Sequence, residues 1–200
     1  MGEFKLRGKG TLIAGVKLAN RFRKDNFQFY GEYYRKLLKG TWGYVSADFS
    51  PNHTFLPEYS AGGGIYRYML GNEWGINVRF MKFRNSDVFL LIPSAIIYLP
   101  GDVLYRVNLY LNTGRGTYSL LNVLERKGKT ITLFAGLSFG TSSERLQAGE
   151  DFRRYNTLSI RAGAELALTR GMSVRLVVRR EVREGLYTRN GVELYGGFGW

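Results

Sequence analysis

Apolar side chains recur at every second residue over most of this chain, and that period limits what it can fold into. Leu158, Ile160, Ala162, Ala164, Leu166 and Leu168 fall on one face, opposite Ser159, Arg161, Gly163 and Glu165. Met172, Val174, Leu176 and Val178 oppose Ser173, Arg175 and Arg179, and Ile131, Leu133, Ala135, Leu137 and Phe139 oppose Thr132, Gly136 and Ser138. Val103, Tyr105, Val107, Leu109 and Leu111 stand against Arg106, Asn108 and Asn112, as Leu12, Ala14, Val16 and Leu18 stand against Lys17 and Arg21. Successive side chains of a strand point to opposite faces, whereas a helix would scatter these sets around its circumference. The chain is therefore expected to be all-β. No apolar run reaches the ~18 residues of a spanning helix; the longest, 88–99, is interrupted by Pro93 and Ser94.

A soluble sandwich also alternates, and the connections separate the two architectures. Strands are predicted at 10–22, 27–38, 41–50, 59–70, 74–83 and 88–99, then at 103–112, 117–126, 130–140, 157–168, 172–182 and 191–200. Every second connection is then a tight turn: Lys39-Gly40, Gly71-Asn72, Pro100-Gly101-Asp102, Lys127-Gly128-Lys129 and Arg170-Gly171. The intervening connections include the longest loops, 51–58, 141–156 and 183–190. Short periplasmic turns alternating with longer outer loops are the pattern of a bacterial outer-membrane barrel. The expectation is a closed antiparallel transmembrane β-barrel of about twelve strands, one domain over 1–200, with 1–9 as a short lead-in. An even count puts both termini on one side. Pro93 removes a ladder donor, so a bulge or kink is expected there.

Composition excludes several classes. Cysteine is absent, which removes disulfides, thiolate metal sites and cysteine nucleophiles. One histidine and scattered carboxylates argue against a transition-metal centre, and no cofactor is expected. The net charge of +13 would ordinarily point to nucleic acid. The alternation instead turns many of the charges inward, so no nucleic-acid partner is expected. Met1-Gly2 leads into charged residues without an apolar signal core, as in a mature or truncated form. Val192, Leu194, Gly196, Phe198 and Trp200 share one face of the last predicted strand. Such an ending resembles the signal read by outer-membrane assembly machinery, with Trp200 in place of the usual Phe and Tyr195 in place of the usual Gly.

Ser46-Ala-Asp-Phe-Ser-Pro-Asn-His53 and Phe55-Leu-Pro-Glu-Tyr-Ser60 resemble the YaiO-type outer-membrane barrel domain. The likeness continues through the Gly-rich stretch 61–65, the turn Leu70-Gly71-Asn72, residues 74–83 and residues 105–112. It implies an outer-membrane barrel, in that family sometimes preceded by helical repeats or encoded near polysaccharide-synthesis enzymes. It implies no catalytic site.

The candidate site is the lumen. Lys17, Arg21, Lys36, Arg79, Arg106, Arg161, Arg175 and Arg179 are predicted to point inward, opposed by Glu32, Asp48, Glu165, Glu181 and Glu193. Two readings stand: an internal salt-bridge network that fills the barrel, or a cationic path for an anionic solute or acidic glycan. Of Tyr30, Tyr33, Tyr34, Trp42, Tyr44, Tyr59, Tyr66, Tyr68, Trp74, Tyr98 and Trp200, near predicted strand ends, some are expected in interfacial girdles and others packed in the lumen. Inward Tyr44, Tyr66 and Tyr110 are alternatively placed to stack on sugars. Arg145, Arg153, Arg154, Arg183 and Arg189 are expected in outer loops, near lipopolysaccharide phosphates or plain solvent. His53, with Asp48 and Ser50, is expected to shape a loop; a hydrolase acting on lipid or glycan is the lesser reading. The functional expectation is a non-enzymatic channel or export conduit, with a side-chain-plugged structural barrel as the alternative.

Overall fold

A computed structural model describes residues 2–6, 10–21, 24–53, 56–114, 116–144, 153–169 and 172–198. Thirteen strands form one antiparallel meander in which each pairs with its sequence neighbours. They are β1 (Gly2–Leu6), β2 (Gly10–Arg21), β3 (Lys24–Leu38), β4 (Thr41–Phe49), β5 (Tyr59–Met69), β6 (Asn72–Phe83) and β7 (Ser86–Leu99). The rest are β8 (Val103–Asn112), β9 (Thr117–Lys127), β10 (Ile131–Glu144), β11 (Arg153–Thr169), β12 (Met172–Arg183) and β13 (Tyr187–Phe198). The last twelve correspond to the twelve expected.

Three expectations change. The lead-in 1–9 contains β1, which pairs with β2 from Gly2↔Ala14 to Leu6↔Gly10. The sheet is also not closed: among the described residues no pairing joins β1 to β13. In a thirteen-strand meander the first and last strands run the same way, and β1 covers the β2 edge that would meet β13 antiparallel. Finally, the loops 141–156 and 183–190 are shorter than expected, because β10 and β11 remain paired out to Glu144↔Arg153 and β12 and β13 to Arg183↔Tyr187. Strand pairing continues past the apolar stretch because backbone groups pair regardless of side-chain polarity.

The two faces are inverted relative to a soluble protein. Among the described residues only Val123, Phe134 and Val177 are buried hydrophobics, whereas large hydrophobic residues stand exposed on every strand from β2 to β13 except β8. A soluble monomer exposes apolar patches of only a few hundred Å². At the end bearing the loops, the outer face carries a belt of Phe29, Phe49, Tyr59, Phe80, Phe89, Tyr118 and Phe139. Register aligns Phe29 with Phe49, Phe49 with Tyr59, and Phe80 with Phe89. Trp74 and Tyr105 lie on the outer face nearer the tight turns. Ten residue steps from Tyr59 to Met69, at ~3.3 Å each and ~40° tilt, span about 25 Å, the height of a membrane-barrel apolar band.

Rings cover glycines on the inner face. Tyr30 lies over its cross-strand partner Gly15, Tyr66 over Gly75 and Phe134 over Gly163, each where a Cβ would collide with the ring. A glycine under a ring lets a curved sheet pack its concave side without a void. Pro93 produces a break and no bulge. Pairing of β7 with β8 skips Ile92 and Pro93, then resumes in the same register at Ser94↔Asn108. The Ile92 carbonyl instead accepts from Asn77 Nδ2 at 3.1 Å and Ser94 Oγ at 3.3 Å. The Leu70-Gly71 turn has positive φ at both residues, 53° and 78°, the type I′ geometry of a two-residue hairpin.

Face assignment and ring packing are separately testable. Val178→Arg, at mid-strand on the outer face, should cost about 2–4 kcal/mol, while Ser46→Arg on the inner face should cost much less. Gly163→Val, which displaces the Phe134 ring, should also lower stability. Urea titration in lipid vesicles, read by heat-modifiable gel mobility, checks all three; equal losses at Val178 and Ser46 would refute the assignment.

Candidate functional site: the inner face

Toward the loop end, β4, β5 and β6 bring together Asp48, Ser60 and Arg79. Asp48 is register partner to Ser60 and Gly62 to Arg79, so the three side chains are neighbours on the inner face. Ser60 Oγ and Arg79 Nη2 both donate to Asp48 Oδ2, and Arg79 Nη2 also reaches Ser60 Oγ at 3.2 Å. The Asp48 side chain is 9% exposed and that of Arg79 41%. One end of the ion pair is thus dry and the other wet. The loop after β4 is tied down on both sides: Ser50 N donates to Glu58 O, Glu58 N to Lys82 O, and Leu56 N to Asn26 Oδ1.

Nearer the tight turns the inner face is aromatic. The turns at Lys39-Gly40 and Leu70-Gly71 join the strands that pair Tyr34↔Tyr44 and Tyr66↔Gly75, and the β4–β5 ladder sets Trp42 beside Tyr66. Trp42 and Tyr66 stack at 4.2 Å between centroids and 5° between planes, and Tyr34 and Tyr44 at 5.3 Å and 22°. Carboxylates hold the polar edges. Tyr34 Oη donates to Glu32 at 2.6 Å, while Trp42 Nε1 (3.3 Å) and Tyr98 Oη donate to Glu73. A cavity of about 410 Å³ opens among residues of β3 to β8, including these rings with Arg79, Arg106 and Tyr110. Tyr44 and Tyr66 face inward as read from the alternation, Tyr30, Tyr34, Trp42, Tyr68 and Tyr98 join them on the inner face, and of the described members of this set Tyr33, Tyr59 and Trp74 are left for an outer girdle. Trp200 lies outside the described residues. Trp42 shares its parity with Tyr44, Ser46 and Asp48, and that signal was sufficient to place it.

From β9 to β12 the inner face is filled. Val123, Phe134 and Val177 pack together with Leu121, and the Arg175 guanidinium lies 4.1 Å from the Phe134 ring centre. Arg175 also approaches Glu165 at 4.0 Å. Arg161 and Arg179 are direct register partners on β11 and β12. Arg106 and Arg161 have no ion-pair partner among the described residues. Lys36 stands exposed opposite Trp42. Glu181 pairs with Arg183 at 2.7 Å, which corrects the outer-loop expectation for Arg183: it ends β12 on the inner side. Arg189 is an exposed residue of β13 opposite Glu181. Arg153 and Arg154 belong to β11, not to a loop. Lys17 and Arg21 hold inner-face register positions on β2, and Glu193 one on β13; their side chains, with those of Leu194 and Phe198 and the whole of Arg145, lie outside the described residues. Val192 is on the outer face, 72% exposed.

Among the described residues Ser50 Oγ and His53 Nδ1 are buried without hydrogen-bond partners, and Asp48 is engaged by Ser60 and Arg79. No Ser–His–Asp relay is assembled from them. Sequence reasoning did not anticipate Ser60, Glu73 or Asn77; the register fixed by the tight turns is the signal that locates them.

A meander with an apolar, aromatic-belted exterior and a charged interior defines the class of transmembrane β-barrels. Within it, the model of the YaiO membrane beta barrel domain matches residues 3–145, and the chain belongs to that family. No curated protein matches the chain. Strands β11 to β13 lie beyond the matched stretch and continue the same meander.

Asp48→Ala should destabilise the protein by about 1–2 kcal/mol, less than the ~3–5 of a fully buried pair because water screens Arg79. Asp87→Ala, which removes the exposed Lys82–Asp87 pair, should leave the urea midpoint unchanged. Equal effects would mean that Asp48 is not the structural counter-ion of Arg79.

Proposed function

We propose that the domain closes into a barrel in the bacterial outer membrane, tight turns toward the periplasm, and forms a narrow basic-lined passage. It conducts anionic solutes or an exopolysaccharide chain and performs no chemistry of its own. The observation that carries this reading is the surplus of inner-face guanidinium groups. Arg106 and Arg161 have no ion-pair partner among the described residues. A guanidinium left without a counter-ion is tolerable only in contact with water or an anion. The aromatic belt and outward apolar faces support the bilayer as partner. Arg180, exposed on the outer face toward the loop end, suits a lipopolysaccharide phosphate. Assembly machinery that reads the last strand is a further expected partner. The filled patch around Phe134 favours a second reading, a structural barrel without an open path.

Closure in the bilayer pairs β2 with β13, since their opposed directions match and an unpaired edge is excluded from lipid; β1 is then displaced. Cysteine pairs placed along β2 and β13 should cross-link in membranes but not in the unfolded chain. With control pairs placed along β1 and β2, cross-links confined to those controls would refute closure.

Reconstituted in planar bilayers, the protein should show modest anion selectivity that weakens as salt screens the lining charges. Combined Arg106→Glu and Arg161→Glu should shift the reversal potential in a salt gradient toward cations. A folded barrel with no conductance would establish the structural reading instead.

A further inference from the structure

The cavity, which runs from the ring stack near the tight turns up to Arg79 and Tyr110, has chemistry that the ion-path reading does not use. An anion path needs cations and water. This cavity is walled by Tyr34, Trp42, Tyr44, Tyr66 and Tyr110, together with Asn108 and the two arginines. The rings are held in place. Trp42 is stacked on Tyr66 and tethered through Nε1 to Glu73, and Tyr66 is seated over Gly75. Tyr34 is fixed by Glu32 and stacked on Tyr44. These are pre-organised aromatic surfaces, so little side-chain freedom is lost when something binds them. Packing alone does not account for the arrangement, because the rings border open volume while the far side of the sheet is packed by aliphatic residues and Phe134.

Flat amphipathic rings flanked by amide and guanidinium donors match one ligand chemistry well. The C–H face of a pyranose carries a slight positive charge and lies against the negative face of a ring, while its hydroxyls and any carboxylate meet Asn108 and Arg106. A cationic ligand would also suit aromatic faces, but Arg79 and Arg106 share the cavity and repel it. The Glu32 carboxylate is already occupied by the Tyr34 hydroxyl. A volume of about 410 Å³ lies within the ~300–1,000 Å³ of small-ligand sites. It suits a short stretch of sugar units and not a folded polymer.

We infer that the Trp42–Tyr66 stack and Arg106 form a glycan-binding site at the tight-turn mouth of the barrel, selective for sugars bearing a carboxylate. The inference rests on the conduit reading for its biological sense, yet binding and conduction are measured separately. On that reading, a chain arriving from the periplasmic side meets this site first.

The test uses the full chain refolded in zwitterionic micelles that lack sugar headgroups. Isothermal titration is carried out with tetragalacturonate and with cellotetraose. The acidic oligomer should bind at least tenfold more tightly than the neutral one. Trp42→Ala should weaken both by tenfold or more, and Arg106→Gln should remove the preference while leaving neutral binding. Heat-modifiable mobility verifies folding of each variant. If Trp42→Ala fails to fold, Asn108→Ala and Arg106→Gln carry the test, since each leaves the ring stack intact. Absence of binding by the parent, or binding unchanged in folded Trp42→Ala or in both fallback variants, overturns the site. Conductance without glycan binding would overturn the site and leave the conduit; glycan binding without conductance would leave the site and overturn the conduit.

Discussion

Lipid offers no hydrogen bonds, so every backbone amide and carbonyl at membrane depth has to find its partner within the sheet. That requirement sets the register of each strand on its neighbours, and register decides which side chains meet. The two-residue turns are where it enters. With Leu70 and Gly71 both at positive φ, β5 and β6 cannot slip. Ser60, Gly62, Gly64 and Tyr66 are thereby placed beside Met81, Arg79, Asn77 and Gly75. The placement of Arg79 beside Ser60 and the Tyr66–Gly75 contact follow from the same turn, and the β4–β5 ladder adds Asp48 to the cluster. Pro93 is the exception that shows the rule: the ladder lapses there, and the Ile92 carbonyl is taken up by the inner-face side chains of Asn77 and Ser94.

Within this frame the inner face divides. From β3 to β8 the side chains are aromatic, amide and charged, and they enclose a cavity. From β9 to β12, Val123, Phe134, Val177 and Leu121 fill the space, with Arg175 lying on the Phe134 ring. Glycine serves both halves differently. Gly75 gives Tyr66 a floor beside open volume, whereas Gly163 lets Phe134 close it. A Cβ at either position would push a ring toward the lumen, so these glycines shape the interior as much as any large residue does.

Strand positions were legible in the sequence because alternation is imposed by the bilayer over the whole apolar height. The extensions of β10, β11 and β13 were not legible. Beyond the bilayer the outward side chains no longer need to be apolar, and the pattern ends before the pairing does. In β1, five residues of Gly2–Leu6 are too few to show a period. Among the aromatic residues, Tyr44, Tyr66 and Tyr110 are legible as inward from the alternation, whereas a girdle is harder to read. Tyr and Trp suit an interface, but position parity outranks preference: Trp42 lies in line with Tyr44, Ser46 and Asp48 and turns inward with them. The loop-end belt is instead built mainly of Phe, whose ring needs no polar partner. Of the candidate site, the charged residues were readable from parity. Their pairing was not, because it depends on which strand lies beside which residue.

The division of charge follows from the same geometry. Arg79 reaches Asp48 because their strands are separated only by β5, and Ser60 on that intervening strand completes the contact. Arg175 has Glu165 directly across its ladder. Arg106 is flanked by Ile96 and Val123, which offer it no carboxylate, and Arg161 faces Arg179. A guanidinium without a partner is tolerable only in contact with water. Arg106 is exposed beside the aromatic cavity, whereas Arg161 is only half-exposed and lies among the strands that carry the apolar patch around Phe134. Register thus leaves a guanidinium without a carboxylate partner among the described residues on each half of the inner face, Arg106 on β8 beside the aromatic cavity and Arg161 on β11 among the strands of the filled patch.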